Sequence, residues 1–296
     1  MKNGIIVINK EEGLSSFAVA KRAARIMGAE KSGHTGTLDP MATGVLPILL
    51  DRGVKASEYM ITSDKHYVAT LLLGITTDTE DVTGEVLTRC DTVPTEDEVL
   101  GAVRSMVGES LQVPPMYSAL KVGGKKLCDL ARRGVTVERE ARPITVFSIE
   151  AKRLSESEYE LDVRCSKGTY IRTLCADIGK KLGVGGVMKS LVRAEASGFT
   201  LKDAVTLGEL EKMSEEERDR RIIPIEYIFR NERRVTLPPF FSRLARCGVE
   251  IYLKKIKVDA AVGERFAMYD GDTFFALGEV REFEEGLAIK PIKQFS

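Results

Sequence analysis

The chain has 296 residues, of which 43% are hydrophobic and 30% charged, and its 44 basic residues are balanced by 44 acidic ones. This composition indicates an ordered globular protein with one large domain or two, and it argues against disorder throughout. No apolar run is long enough to cross a bilayer, and the N-terminal apolar stretch is too short for a secretory signal. The five cysteines lack C-x-x-C spacing, which favours reduced thiols, a cytoplasmic location and no zinc site.

The hydrophobic pattern predicts a strand followed by a helix at the start of the chain. Residues 4–9 contain the continuous aliphatic run 5–8, which is typical of a buried strand. A serine at position 15 or 16 is expected to cap a helix that continues to about residue 27. The face of this helix that is expected to be buried consists of Phe17, Ala20, Ala24 and Met27.

The centre of the chain alternates irregularly between strand and helix patterns. Further strands are predicted over residues 45–50, 66–73, 85–88 and 158–165, the last from its strict alternation. Thr95 and Glu98 form a capping-box signature at the start of a second helix. A third helix is expected from Tyr170 to Leu182, with Arg172 in its first turn. This irregular interleaving favours an α+β fold, with a mixed central sheet and flanking helices, over a doubly wound fold.

The last part of the chain has a different pattern of predicted elements, with a short helix and several short strands. A charged run at residues 214–221 could be a helix end or the approach to a linker. A short helix is then expected over residues 239–246, followed by short strands with a hairpin turn at Asp270-Gly271. We therefore predict two domains, residues 1–230 and a small β-rich domain at residues 231–296.

An aspartate lies in a glycine-containing loop early in the chain, within the run Gly33-His34-Thr35-Gly36-Thr37-Leu38-Asp39-Pro40. Pro40 fixes its own backbone and disfavours a helical conformation at Asp39, so the carboxylate is held on a turn or an extended segment. The glycines let another backbone or a ligand come close. Such an aspartate is suited to act as a nucleophile or base, although an Asx-type turn before a proline would explain the Asp-Pro pair taken alone.

The run that ends in Asp39-Pro40 resembles the catalytic-aspartate motif of the TruB-type pseudouridine synthases, and other motifs of that family follow in order. They are Lys65-His66-Tyr67, Pro114-Pro115-Met116-Tyr117-Ser118-Ala119-Leu120-Lys121, Arg142-Pro143-Ile144 and Ser166-Lys167-Gly168-Thr169-Tyr170-Ile171-Arg172. The resemblance implies the pseudouridine synthase fold, with a largely antiparallel sheet, and a PUA-like domain at residues 231–296. It also implies isomerisation of uridine to pseudouridine in the T-loop of tRNA, at position 55, after the base has been flipped out.

The resemblance further implies roles for particular side chains. Asp39 would start the reaction by attack at C1′, by attack at C6 or through a glycal-type path, and Arg172 would keep it ionised and oriented. Tyr67 would stack on the uracil and assist removal of the C5 proton, whereas without the flanking motif it would be interpreted as a core aromatic. The residues expected to contact the substrate are His34, Tyr170, Leu191 and Lys10. For His34, a hydrogen bond within the loop is the alternative.

A basic segment lies between these motifs. Residues 121–143 carry seven basic and three acidic side chains, which gives a net charge of +4 in an otherwise acidic chain. The resemblance implies that residues 115–143 are an insertion that clamps the T-arm of the tRNA, and without it a solvated surface would be the simpler interpretation. The side chains expected to contact phosphates are Lys121, Lys125, Lys126, Arg132 and Arg133.

Three other functions are compatible with some of these motifs. A guide-RNA-dependent pseudouridine synthase has nearly the same catalytic motif but lacks the clamping insertion. A non-catalytic RNA-binding or chaperone protein would not need Asp39, Tyr67 and Arg172 together. A phosphate-binding enzyme with residues 33–36 as its anion loop would be expected to have a Gly-Lys-[Ser/Thr] ending, which does not follow here.

The predicted reaction needs no metal or other cofactor, and the expected partner is tRNA, bound by a standalone monomer without a protein or membrane partner.

Overall fold

The computed structural model describes residues 2–61 and 64–295. The strands of the first 200 residues are β1 (Gly4–Lys10), β2 (Ser32–His34), β3 (Thr43–Leu50), β4 (Lys65–Leu73), β5 (Ile75–Thr77), β6 (Val86–Arg89), β7 (Gly108–Gln112), β8 (Lys121–Val122), β9 (Lys125–Lys126), β10 (Arg142–Arg153), β11 (Glu158–Cys165), β12 (Gly186–Ala196) and β13 (Phe199–Thr200). The later strands are β14 (Arg233–Leu237), β15 (Ile251–Tyr252), β16 (Arg265–Asp270), β17 (Thr273–Phe283) and β18 (Gly286–Gln294).

The α-helices are α1 (Ser16–Met27), α2 (Ser57–Ile61), α3 (Glu96–Arg104), α4 (Leu127–Ala131), α5 (Ile171–Lys181), α6 (Leu207–Lys212), α7 (Glu215–Arg220), α8 (Pro239–Arg246) and α9 (Leu253–Ile256). Short 3-10 helices cover Asp51–Ala56, Leu201–Asp203 and Ile225–Phe229. The charged run near residue 214 is therefore a helix, α7, whose capping box is formed by Ser214 and Glu217. None of the helices in the described residues is both long and apolar enough to span a membrane.

A central sheet with strand order β1-β3-β12-β4-β11-β10-β7 organises the first part of the chain, and β2 and β13 pair at its sides with β3 and β12. Its pairings are antiparallel except for the parallel contact between β12 and β3. Helices α1, α3 and α5 bury their apolar faces in one core with this sheet. The predicted α+β fold with a mixed, largely antiparallel sheet is confirmed.

Helix α1 begins and ends at the residues that its sequence predicts. The Ser15 side chain accepts a hydrogen bond from the Ala18 amide, and Gly28 ends the helix in a left-handed conformation. The prediction for Phe17 was wrong, because this side chain is 66% exposed. In the first turn of a helix a side chain points back toward the N-terminus, so the Phe17 ring extends past the core rather than into it.

A five-stranded sheet of order β14-β16-β17-β18-β15 forms the β-rich end of the chain, as the fold class predicted. It has a core of its own, which includes Phe266, Phe275 and Ile289. Helix α8 has the predicted bounds, and Gly271 has the positive φ (57°) that the tight turn between β16 and β17 requires. A further apolar cluster, which contains Phe229 and Phe295, joins this sheet to the preceding segment.

The predicted insertion leaves the central sheet and returns to it at one point. Arg142, the first residue of β10, pairs with Gln112, the last residue of β7. The intervening chain contains the two-stranded hairpin β8–β9 and the short helix α4. The insertion therefore projects from the end of the sheet, where it can approach the loop that carries Asp39.

Candidate active site

Asp39 lies on the loop that joins β2 to β3, and the two strands pair with each other so that the loop is closed at its base. Ser16, at the start of α1, fixes the loop through Leu38. The Leu38 amide donates to Ser16 Oγ (2.8 Å), and the hydroxyl donates to the Leu38 carbonyl (3.0 Å). The position of Asp39 is therefore set by the backbone, and 32% of its side chain is exposed toward a cleft.

Lys10 holds the same loop from behind. Its side chain is buried, and Nζ donates to the carbonyls of Glu11 (3.0 Å), Pro40 (3.0 Å) and Ala42 (2.6 Å). Burial lowers the pKa of the Lys10 ammonium to about 8, although the nearby Asp39 carboxylate acts in the opposite direction. Lys10 does not line the cleft, so the structure places it as a support of the Asp39 loop rather than at the predicted substrate-contacting position.

Arg172 connects four groups around the cleft. Its Nε lies 2.9 Å from Asp39 Oδ2 and its Nη2 lies 3.4 Å from Oδ1, so that two nitrogens face two oxygens. The remaining donors reach the carbonyls of Thr79 (2.9 Å) and Tyr117 (2.8 Å), and Nη1 lies 3.5 Å from Asp81 Oδ2. A planar guanidinium with these contacts is fixed in orientation, and it fixes the direction of the Asp39 carboxylate in turn.

The carboxylate of Asp81 was not among the predicted site residues. It is buried, and its Oδ1 accepts hydrogen bonds from the Thr83 amide (2.9 Å) and from the hydroxyls of Thr79 (2.8 Å) and Thr83 (2.5 Å). Glu80 has a left-handed backbone (φ 63°), which is uncommon for a residue other than glycine and turns this loop back on itself. In the sequence, only a short run rich in acidic residues and threonine marks this loop.

The pKa of the Asp39 carboxyl lies above its ordinary value. Burial is the largest cause, Arg172 opposes it, Asp81 raises the pKa further, and Lys10 lowers it. One guanidinium is shared between two carboxylates, so its charge neutralises Asp39 only in part. A desolvated carboxylate in a fixed direction is well suited to attack a sugar or base carbon.

Tyr67 and Leu191 form part of the cleft floor. Tyr67 lies on β4 and Leu191 on the neighbouring strand β12, and each side chain is 7% exposed. Burial, the largest effect, raises the pKa of the Tyr67 hydroxyl, whereas the positive charge of Arg193 acts to lower it. An aromatic ring and an aliphatic side chain beside the Asp39 carboxylate provide an apolar surface on which a flat base can lie.

The cleft itself has a volume of about 1460 Å³ and lies between the Asp39 loop, the central sheet and the insertion. This volume exceeds the range of about 300–1,000 Å³ that is typical of small-molecule sites, so the cleft can hold a segment of a polymer. Tyr170, which precedes α5, lines the cleft, and the Tyr170 backbone is held by Gln112 through hydrogen bonds of 2.8 Å and 3.1 Å.

His34 lines the cleft as well. Burial lowers the pKa of His34, and its buried Nδ1 has no hydrogen-bond partner in the described residues.

The predicted RNA-binding side chains lie at different distances from this cleft. All five are exposed, but Lys126 and Arg132 line the cleft, whereas Lys121, Lys125 and Arg133 lie farther out on the insertion. Phe17 also lines the cleft, and Lys21 Nζ lies 5.7 Å from the centre of its ring. Sequence reasoning missed Phe17 at this position because it was assigned to the core.

Metal-binding residue types are scattered over the fold. His34 lies in the cleft, whereas His66 Nε2 lies 2.8 Å from Asp162 on the neighbouring strand. Across residues 2–61 and 64–295, no three His, Cys, Asp or Glu side chains come close enough together to hold a metal ion. The five cysteines are free thiols. The arrangement in the cleft is that of a carboxylate held by a guanidinium beside an apolar floor.

Comparisons with known proteins place this geometry in a family. Residues 24–171 match the family model described as TruB family pseudouridylate synthase (N terminal domain), and residues 172–230 match the tRNA pseudouridylate synthase B C-terminal domain. The chain is similar to "tRNA pseudouridine synthase B" of Clostridium tetani, with 40% identity over 97% of this chain and 98% of the relative. It is also similar to the protein of that name from Clostridium perfringens, with 41% identity over 98% of each chain.

Solved structures agree with the sequence comparisons. The chain is similar to one in the crystal structure of a Cbf5-Nop10-Gar1 complex, with a TM-score of 0.74, 26% identity, and coverage of 100% of this chain and 85% of that one. A chain in the structure of an H/ACA RNP bound to a substrate RNA shares the fold, with a TM-score of 0.71, 23% identity, and coverage of 100% and 86%. From the family models and relatives together, we conclude that the chain belongs to the TruB family of pseudouridylate synthases.

Proposed function

We propose that this protein isomerises uridine to pseudouridine at position 55 in the T-loop of tRNA, as a standalone cytoplasmic enzyme. The bidentate contact of Arg172 with Asp39 at the floor of an open cleft carries the proposal. The relatives named tRNA pseudouridine synthase B, which match over nearly the full length of both chains, support tRNA as the substrate.

The proposed reaction begins when the target uridine leaves its stack and enters the cleft, at a cost of a few kcal/mol that is smaller in a loop than in a duplex. The uracil then lies on Tyr67 and Leu191, and the Asp39 carboxylate initiates cleavage of the bond between N1 and C1′. After the base has turned, a bond forms between C5 and C1′. The C5 proton leaves, with assistance from Tyr67, and N1 takes up a proton, so that the product is an isomer of the substrate.

The insertion would hold the RNA around this centre. Lys126 and Arg132 line the cleft, where they would contact phosphates next to the flipped nucleotide. The outer basic residues Lys121, Lys125 and Arg133 would extend this contact along the T-arm. Because Arg172 donates to the Tyr117 carbonyl, the start of the insertion is bonded directly to the catalytic pair.

A guide-RNA-dependent enzyme is the second candidate, since the chain is similar to a member of a Cbf5-Nop10-Gar1 complex. The insertion between β7 and β10 favours the standalone reaction, because it supplies a basic surface of the protein's own beside the cleft. The two candidates differ in what they need. A standalone enzyme acts on tRNA without another macromolecule, whereas a guided enzyme requires its guide.

The deciding experiment incubates the purified protein with an unmodified tRNA transcript or an isolated T-arm stem-loop, without guide RNA or other proteins. The readouts are tritium release from C5-labelled uridine and the position of pseudouridine along the RNA. We expect one modified position, at 55, and none in a transcript with cytidine at that position. Tight tRNA binding without tritium release would instead indicate a non-catalytic RNA-binding protein.

A further inference from the structure

Arg193 is a buried cation that the reaction described above does not use. It lies on β12 with 0% of its surface exposed, although charged side chains are almost never fully buried unless they are paired. Its Nε donates to the Val45 carbonyl (2.7 Å) and its Nη2 to the Gly36 carbonyl (3.2 Å). The buried Nη1 has no hydrogen-bond partner in the described residues. Burying a guanidinium without a counter-ion lowers the stability of the fold, which indicates that Arg193 has a functional role.

The loop that carries Asp39 packs closely against both the backbone and the side chain of Arg193. Gly36 and Gly44 lie on either side of Asp39, and both have positive φ angles, of 80° and 103°. A Cβ atom at Gly36 would lie 3.3 Å from Arg193 Nη1, and one at Gly44 would lie 2.3 Å from the Arg193 carbonyl oxygen. A side chain at Gly44 would therefore collide with the Arg193 backbone, and a Cβ at Gly36 would make a tight contact with the Arg193 guanidinium.

Arg193 also faces Tyr67. The two residues are direct partners in the antiparallel pairing of β12 with β4, so their side chains share one face of the sheet. The charge of Arg193 acts on the Tyr67 hydroxyl, and the other charged or titratable groups that act on it are Cys165 and Asp39. Arg193 thus borders the cleft, between the loop that carries the nucleophile and the tyrosine.

We propose that Arg193 is a positioning residue that holds the Tyr67 hydroxyl in register with the Asp39 loop. Its side chain is fully buried although it borders the cleft, and it acts on the reaction through Tyr67. This inference rests on the proposed function. A shift of about 1 Å in such a group can reduce the rate about 100-fold, even when binding is unchanged.

The test measures single-turnover pseudouridine formation and tRNA affinity for Arg193→Gln and Arg193→Lys. We expect Arg193→Gln to lower the rate about 100-fold while tRNA affinity stays within about threefold, because the substitution moves reacting groups and not phosphate contacts. Arg193→Lys keeps the charge and should recover about tenfold of the loss. The matched control, Arg164→Gln, removes an exposed arginine from β11 that pairs with Glu195 at 3.3 Å, and it should behave as wild type.

A double-mutant cycle with Tyr67→Phe distinguishes action through Tyr67 from general damage to the fold. In the Tyr67→Phe background, Arg193→Gln should cost less than about threefold in rate, because the group that it positions is already absent. Additive losses, a wild-type rate for Arg193→Gln, or a parallel loss of affinity would each overturn the inference. If Arg193→Gln does not fold, the cycle is run with Arg193→Lys under the same criteria. Wild-type protein that made no pseudouridine would refute the proposed function instead, so the two failures are distinguishable.

Discussion

Replacement of Arg172 by lysine separates the geometry of the catalytic pair from its charge. Arg172 contacts both oxygens of Asp39, and it also donates to the carbonyls of Thr79 and Tyr117 and approaches Asp81. A lysine keeps the positive charge but presents one ammonium in place of a planar group with five N–H donors. It cannot reach both carboxylates and both carbonyls from one position.

The magnitude follows from the contacts that are lost. If the ammonium stays on one Asp39 oxygen, the second contact to Asp39 and the contact to Asp81 are given up. Hydrogen bonds to charged groups contribute about 1.5–3 kcal/mol each, so the loss around Asp39 is about 3 kcal/mol or more. At about 1.4 kcal/mol per tenfold in rate, Arg172→Lys should reduce the chemical step by about 100-fold or more.

The assay is single-turnover tritium release at saturating tRNA, with affinity measured separately. Arg164→Lys is the matched control, because Arg164 is more than half exposed and has one ion pair, with Glu195. Thermal unfolding of Arg172→Lys must show a folded protein at the assay temperature. A rate within about threefold of wild type, which is less than 1 kcal/mol, would refute the proposed importance of the two-point contact between Arg172 and Asp39.

Three further predictions concern the surroundings of the pair. Lys10 should lose its proton as the pH rises through about 8. The neutral amine has two N–H groups for three carbonyls, so the single-turnover rate should fall above that pH. This fall in rate at alkaline pH should be absent in Lys10→Met. Phe17→Ala should weaken tRNA binding about tenfold through loss of base stacking, whereas Phe147→Ala, at an exposed ring away from the cleft, should not; equal effects would contradict the stacking role. Simultaneous replacement by alanine of four basic residues of the insertion should lower the slope of log K against log salt by roughly 0.7–0.9 per lost phosphate contact, and an unchanged slope in a folded variant would leave the insertion as a solvated surface. The four residues are Lys125, Lys126, Arg132 and Arg133.

Local chemistry explains which parts of the fold could be predicted from the sequence. The capping serine of α1 and the proline at the start of α8 determine where those helices begin, and each acts within a few residues. Strand β11 was evident from its alternation, because one of its faces is buried and the other is exposed. Phe17 was misassigned because hydrophobic periodicity identifies a helix face but does not tell whether the first turn extends past the core.

Residues of the site could be predicted from the sequence only where they lie in recognisable motifs. Asp39, Tyr67 and Arg172 lie in recognisable runs, although they come from a loop, a strand and a helix that are far apart in the chain. Asp81 has no such run around it, and Arg193, although it lies two residues after the predicted Leu191, was not itself predicted as a site residue. Their importance depends on contacts with residues about 90 and 150 positions away, and sequence periodicity carries no information about such distances. Lys10 was expected in the cleft, and the direction of its side chain is decided by the three loop carbonyls that accept its hydrogen bonds.

The central claim is that the Asp39 carboxylate, held by Arg172, initiates the conversion of uridine to pseudouridine. The most direct measurement compares wild-type protein with Asp39→Asn by mapping pseudouridine along a tRNA transcript after a long incubation. Asparagine has nearly the same shape but is a poor nucleophile, so we expect complete modification at position 55 by wild type and none by Asp39→Asn. Affinity for tRNA should stay within about tenfold, because it comes mostly from phosphate and stacking contacts. Pseudouridine formed by a clean preparation of Asp39→Asn would contradict the account.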